Sequence, residues 1–142
     1  HNVKNLIFSS SATVYDENEK MPLFEASAIG KGQNPYARTK IMIEKILQDE
    51  VVSSSNWSII VLRYFNPVGN DPSCLLGEDP KGIPNNLMPL INQAAFNTRK
   101  LTVFGADYHT PDGSAIRDYI HVSDLADIHV KAAEHLVTNQ QS

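Results

Sequence analysis

The 142 residues carry sixteen acidic and twelve basic side chains, a formal charge of −4, and are 42% apolar and 20% charged. This is an ordinary globular composition, long enough for one core, and it excludes disorder, a collagen repeat and a disulfide framework. No basic cluster offsets the negative charge, so DNA or RNA is a poor fit as a partner. The longest apolar run, Ile59 to Leu62, is far short of the roughly 20 residues of a bilayer span, so no membrane partner is expected. The lone cysteine, Cys74, allows no internal disulfide and fits a reducing compartment, hence the cytoplasm. The chain opens His1-Asn2-Val3, with no signal pattern and no initiator methionine, as expected of an internal piece of a longer protein.

Leu6-Ile7-Phe8, followed by Ser9-Ser10-Ser11, lacks polar alternation and reads as a strand buried on both faces of a parallel sheet. Residues 16–33 are a polar connection. Asn34-Pro35 then predicts a helix start, with Asn as the cap and Pro in the first helical position. Ile43, Ile46, Leu47 and Val51 form its apolar stripe, and Ser53 to Asn56 end it. Ile59 to Phe65 predicts a second buried strand, interrupted only by Arg63, and the strand–helix–strand order implies a right-handed crossover.

Residues 66–84 hold four of the eight prolines and three of the seven glycines, which marks a domain boundary or binding loop. Asn85 or Asn86 caps a second helix with Leu87, Leu90, Ile91, Ala94 and Ala95 on one face; Pro89 is tolerable because it falls in the first turn. Leu101 to Gly105 predicts a short strand, residues 105–114 a polar loop, and Tyr119 to Val122 another strand. Ser123 is expected to cap a last helix with the stripe Leu125, Ile128, Ala132 and Leu136.

Tyr36 and Lys40 lie four apart in the first helix, so their side chains leave on one face. An ammonium beside a phenol favours the phenolate, which is one way for a tyrosine to act as a base near neutrality. The pair alone is weak, but it starts a crossover helix, and Ser9 to Ser11 end the preceding strand. In open α/β sheets ligands sit outside the carboxyl ends of the strands. His121, His129 and His135, spaced eight and six apart, suit no common zinc pattern, so no metal is expected. Cys74 reads as an incidental thiol.

Three blocks resemble the extended short-chain dehydrogenase/reductase superfamily: Ser9-Ser10-Ser11-Ala12-Thr13-Val14-Tyr15, Asn34-Pro35-Tyr36-Ala37-Arg38-Thr39-Lys40 and Leu62-Arg63-Tyr64-Phe65-Asn66-Pro67. Gly77 to Pro80, Gly82 to Pro89 and Arg117 to Val122 narrow the resemblance to its UDP-glucose (UDP-galactose) 4-epimerase family, from about residue 3 to about 137. The resemblance implies the C-terminal part of a Rossmann-like, doubly wound parallel sheet (residues 1–66) and the beginning of a smaller substrate-binding domain (67–142), with 116–137 packing back on the first. It also implies NAD as cofactor, a UDP-sugar as substrate and a homodimer in the complete enzyme.

Carried over by position, Tyr36 takes the proton of the sugar 4-hydroxyl while hydride leaves C4 for NAD⁺. Lys40 binds the nicotinamide ribose and holds Tyr36 ionised. Ser11 hydrogen-bonds the 4-oxygen, with Ala12 and Thr13 lining the same site, and Tyr64 and Phe65 border the nicotinamide. Asn66, Asn85, Asn86 and Leu87 contact the nucleotide sugar, Thr102, Val103 and Phe104 the uridine, and Arg117 the diphosphate. Plainer roles stay open: Asn85 and Asn86 as helix caps, Arg117 as the ion-pair partner of Asp118, Phe65 as core.

Departures accompany the resemblance. Asp16 and Cys74 stand where the family usually has glycine, Ala37 and Thr39 replace a usual Gly and Ser, and Asn70-Asp71 a usual Ala-His. The family's glycine-rich dinucleotide fingerprint is absent: Pro35 occupies the third glycine position after Gly30-x-Gly32, and Ile83 stands where the Walker-like spacing from Gly77 requires lysine. The 142 residues alone are therefore expected to be inactive and to bind NAD⁺ weakly. Two alternatives stand beside epimerisation. In a related 4,6-dehydratase an Asp-Glu pair would stand at Ala12-Thr13, and neither of these can move a proton. The other is a non-catalytic fragment.

Overall fold

The computed structural model describes residues 3–96 and 100–138. The elements run β1 (Asn5–Ser9), a single 3-10 turn (Ala12–Val14), α1 (Pro35–Ser53), β2 (Ser58–Leu62), β3 (Asn66–Val68), α2 (Leu87–Ala95), β4 (Tyr119–His121) and α3 (Val122–Thr138). They fall into two compact units, one of residues 1–65 and 124–142 and one of residues 66–123. Among the described residues no helix is long and apolar enough to cross a membrane.

In the first unit β1 and β2 pair in parallel, from Asn5 opposite Ser58 to Ser9 opposite Leu62, and α1 connects them. The ladder continues past the strand ends, since Ser10 N donates to Leu62 O (2.9 Å) and Ala12 N to Tyr64 O (3.1 Å). β2 ends at Leu62, short of the expected Phe65, and only isolated bonds to Ser10 and Ala12 carry the pairing further. Asn34, in extended conformation, caps α1 by accepting from Ala37 N at 2.8 Å, and Pro35 opens the helix without wasting a donor. The face that α1 buries is Ala37 and Ile41, with Lys40, Glu44 and Leu47 half-buried beside them. This corrects the expected stripe: Ile43, Ile46 and Val51 are exposed. An apolarity count missed the face because two of its members are charged and find their partners in and beside the strands.

α3 buries Leu125, Ala132 and Leu136, and the half-buried member between them is His129 rather than the exposed Ile128. The helix begins one residue before the expected cap, so Ser123 lies within its first turn. His121 supplies the acceptor instead, its Nδ1 receiving Ser123 N–H at 3.2 Å. At the start of β2, Trp57 lies under the Lys4 ammonium, 4.3 Å from the ring centre.

In the second unit β3 and β4 pair in parallel, Asn66 opposite Tyr119 and Val68 opposite His121. The proline-rich stretch therefore begins with a strand that its composition concealed. Gly69 follows at φ 98°, and a Cβ there would lie 2.3 Å from His121 Nε2, so the imidazole and the backbone turn both require glycine. α2 turns Leu90, Ile91 and Ala94 partly inward and leaves Leu87 and Ala95 exposed; Pro89 is buried in the first turn, where no helical donor is lost. Residues 101–105 form no strand, contrary to expectation, and Val103 and Phe104 are exposed. Among the described residues their β-propensity finds no neighbouring strand to pair with.

Candidate active site

The first two turns of α1 carry Tyr36, 54% exposed, and Lys40, half-buried. The Lys40 ammonium donates to Ser9 O at 2.7 Å and lies 5.5 Å from the centre of the Tyr36 ring and 5.0 Å from that of Phe8. Lysine and phenol are thus held together where β1 ends. The 3-10 turn packs against α1, and Ser11 caps that turn, accepting from Thr13 N (3.3 Å) and Thr13 Oγ1 (3.0 Å). Its own hydroxyl proton remains for a further acceptor. Ala12 lies in the same turn; Tyr64 is half-buried and Phe65 exposed.

A second layer supports this arrangement. Glu44, one turn beyond Lys40, accepts from Arg63 Nε (3.1 and 3.2 Å) and Nη2 (2.7 Å), and also from the Ser10 hydroxyl. Arg63 further donates to Glu25 O (3.2 Å) and covers the Tyr15 ring at 5.1 Å. The Glu44 carboxylate holds the guanidinium pKa above its ordinary value. Sequence reasoning passed over Glu44; the signal available was Arg63, the one charge in an apolar strand, which demands a partner.

The carried-over residues of the second unit are less engaged. Asn66 donates through Nδ2 to Asp118 O at 2.8 Å, tying β3 to β4 and leaving its carboxamide oxygen for an incoming donor. Asn86 occupies the cap position of α2 but makes no side-chain cap bond; it donates to Glu78 Oε1 at 2.8 Å. Asn85, Leu87, Thr102, Val103 and Phe104 are exposed. Arg117 donates to Ile116 O at 2.8 Å and, among the described residues, makes no ion pair with Asp118.

Asp16 and Cys74, two of the three positions that depart from glycine, differ. Asp16 has no positive φ, and its Oδ1 accepts from Asn18 N at 2.9 Å. Cys74 keeps a left-handed φ of 60°, the only such non-glycine residue among those described. Its N–H donates to Asp71 O at 2.9 Å, while hydrogen bonds from Ser73 hold the Asp71 carboxyl below its usual pKa.

A parallel strand pair joined by a helix, with hydroxyls at one strand end and a Tyr–Lys pair on the helix, defines an α/β fold of the dinucleotide-binding class. The whole chain, residues 1–142, matches the NAD dependent epimerase/dehydratase family, and it belongs to that family. It is 56% identical over 135 residues to a UDP-glucose 4-epimerase of Yersinia pestis, covering 94% of this chain and 40% of that protein. It is 53% identical over 142 residues to one of Dictyostelium discoideum, covering 99% and 41%. A crystal structure of UDP-glucose 4-epimerase from Bifidobacterium longum in complex with NAD+ and UDP superimposes with a TM-score of 0.90 at 52% identity, covering 95% of this chain and 41% of that one. The chain thus spans about 40% of the length of the curated relatives it matches.

One end of such a cofactor fits the residues present. Among the described residues Ser9 O takes one of the three Lys40 donors, which leaves two for the hydroxyls of a ribose. The two glycines that precede α1 offer no cradle for the cofactor's pyrophosphate end. A cradle needs open glycines, yet a Cβ on Gly30 would meet Asp16 Cα at 3.0 Å and one on Gly32 would meet Arg38 Cγ at 2.6 Å. The chain's own atoms fill both places.

Proposed function

We propose that this chain carries the catalytic pair and sugar-nucleotide contacts of a UDP-glucose 4-epimerase, which interconverts UDP-galactose and UDP-glucose at sugar C4. The observation that carries this reading is Lys40, bound to Ser9 O at the end of β1 and 5.5 Å from the centre of the Tyr36 ring one helix turn earlier. The identity of 53–56% to two UDP-glucose 4-epimerases supports it.

When bound, NAD supplies a hydride acceptor and donor, so that C4 can be oxidised and then re-reduced on its other face. Tyr36 Oη takes the proton from the 4-hydroxyl and returns it to the 4-oxygen at the end of the cycle. Ser11 donates its hydroxyl proton to the 4-oxygen, with Ala12 and Thr13 beside it. Lys40 orients Tyr36 and holds the nicotinamide ribose, and Tyr64 and Phe65 border the ring. In the second unit Asn66, Asn85, Asn86 and Leu87 contact the nucleotide sugar, Thr102, Val103 and Phe104 the uridine, and Arg117 the diphosphate.

The first unit then belongs to a Rossmann-like NAD domain and the second to the substrate domain. A homodimer and a cytoplasmic setting complete the reading. Met42 and Ile46, one turn apart and exposed on α1, give a second copy an apolar contact, and the free thiol of Cys74 suits a reducing compartment.

The test is a chimera in which this chain replaces the matching 135 residues of the Yersinia pestis relative. Conversion of UDP-galactose to UDP-glucose above background is the expected result; a folded chimera that binds NAD and UDP but turns nothing over overturns the reading.

A further inference from the structure

The ladder between β1 and β2 uses alternate residues of β1: Lys4 O accepts from Ser58 N, and Ser10 N donates to Leu62 O. Ser9, between such positions, turns its carbonyl away from β2, and Lys40 takes it. The Ser9 hydroxyl is bound as well, to His129 Nε2 on α3 at 2.9 Å. The other ring nitrogen of His129 lies 2.8 Å from Leu125 O. A carbonyl can only accept, so Nδ1 carries the proton, and in the neutral imidazole Nε2 is the acceptor for the Ser9 hydroxyl. The same ring meets Tyr64 edge-on, centroids 6.1 Å apart, and Tyr64 O holds Ala12 N beside Ser11.

We propose that His129 and Ser9 are positioning residues: His129 anchors the Ser9 hydroxyl, which fixes the Ser9 carbonyl that holds the Lys40 ammonium against Tyr36. Neither is a catalytic residue. Their common action is to set the place of the ammonium at one end of the sheet from a helix that arrives 120 residues later in the chain. Through Tyr64 the same imidazole also braces the backbone that carries Ser11. The inference rests on the role given to Lys40 above, but its test reads the surroundings of the ammonium and not turnover. Lost protection of Lys40 therefore speaks to the anchoring by His129 and Ser9, and lost turnover in the chimera speaks to the function.

The experiment is competitive acetylation of the 142-residue chain, with the rate at each lysine read by mass spectrometry. Lys4, half-buried over Trp57 in the same unit, reports whether the unit stays folded. Ser9→Ala and His129→Leu are expected to raise the Lys40 rate several-fold with Lys4 unchanged. His129→Gln, whose amide oxygen can accept the Ser9 hydroxyl, is expected to keep the Lys40 rate within twofold of the parent. The proposal is overturned if Lys40 stays protected in Ser9→Ala or His129→Leu, if Lys4 rises in step with it, or if Gln protects no better than Leu.

Discussion

The two units hold their candidate residues in different ways. In the first, groups far apart in sequence fix one another: Lys40 on the Ser9 carbonyl, the Ser9 hydroxyl on His129, Glu44 on Arg63 and Ser10. In the second, the bonds that tie Asn66 to Asp118 span the unit, while several other side chains among the described residues bond to near neighbours: Asp71 with Ser73, Asp112 with Ser114, Asn86 with Glu78, Arg117 with Ile116. Long-range bonds preorganise a site, whereas segments with few of them open locally at little cost. On the proposed roles, the proton-handling groups are therefore set in advance by the chain, and the sugar-nucleotide contacts stand on segments able to adjust.

If that contrast holds, changes in the first unit strike turnover and stability, and changes in the second strike affinity. The largest effect is expected from Tyr36→Phe in the chimeric enzyme. It should lower kcat at least about 100-fold, the scale of a lost general base, with UDP affinity in calorimetric titration nearly unchanged. Next is Glu44→Ala, which strands the partly buried Arg63 guanidinium. Unfolding by urea, followed by Trp57 fluorescence, should show a loss of about 3 kcal/mol. Arg117→Ala should weaken UDP binding by about 1–3 kcal/mol while leaving the Trp57 unfolding curve in place; a shifted curve would break the contrast. The smallest effect is expected from Cys74→Gly. It relieves a left-handed side chain and should stabilise the chain against thermal unfolding by about 1 kcal/mol.

Much of the first unit was legible because its signals are local. Asn34-Pro35 announces a helix start by capping and a fixed φ, and two uninterrupted apolar runs announce parallel strands. The inward face of α1 was not legible, because Lys40 and Glu44 count as surface residues until their partners are known. His129 was hidden for the same reason: its partner Ser9 comes 120 residues earlier. In the second unit, β3 is three residues long and contains Pro67, so composition alone reads it as loop. The false strand at 101–105 shows the converse, since apolar β-formers make a strand only beside a neighbour that bonds to them. The Tyr36–Lys40 spacing was visible from the start, but the Ser9 carbonyl that gives it geometry is backbone, on which residue identity is silent.

Trp57 and Cys74 bear a consequence beyond their local packing. They are the sole tryptophan and the sole cysteine of the chain, and they fall one in each unit. The thiol is exposed and can take a dye without any other residue being changed. Indole and dye then form an optical ruler already written into the natural sequence. Energy transfer between them reports the separation of the two units in solution, and a change in that transfer on adding UDP-glucose would time any closing of one upon the other.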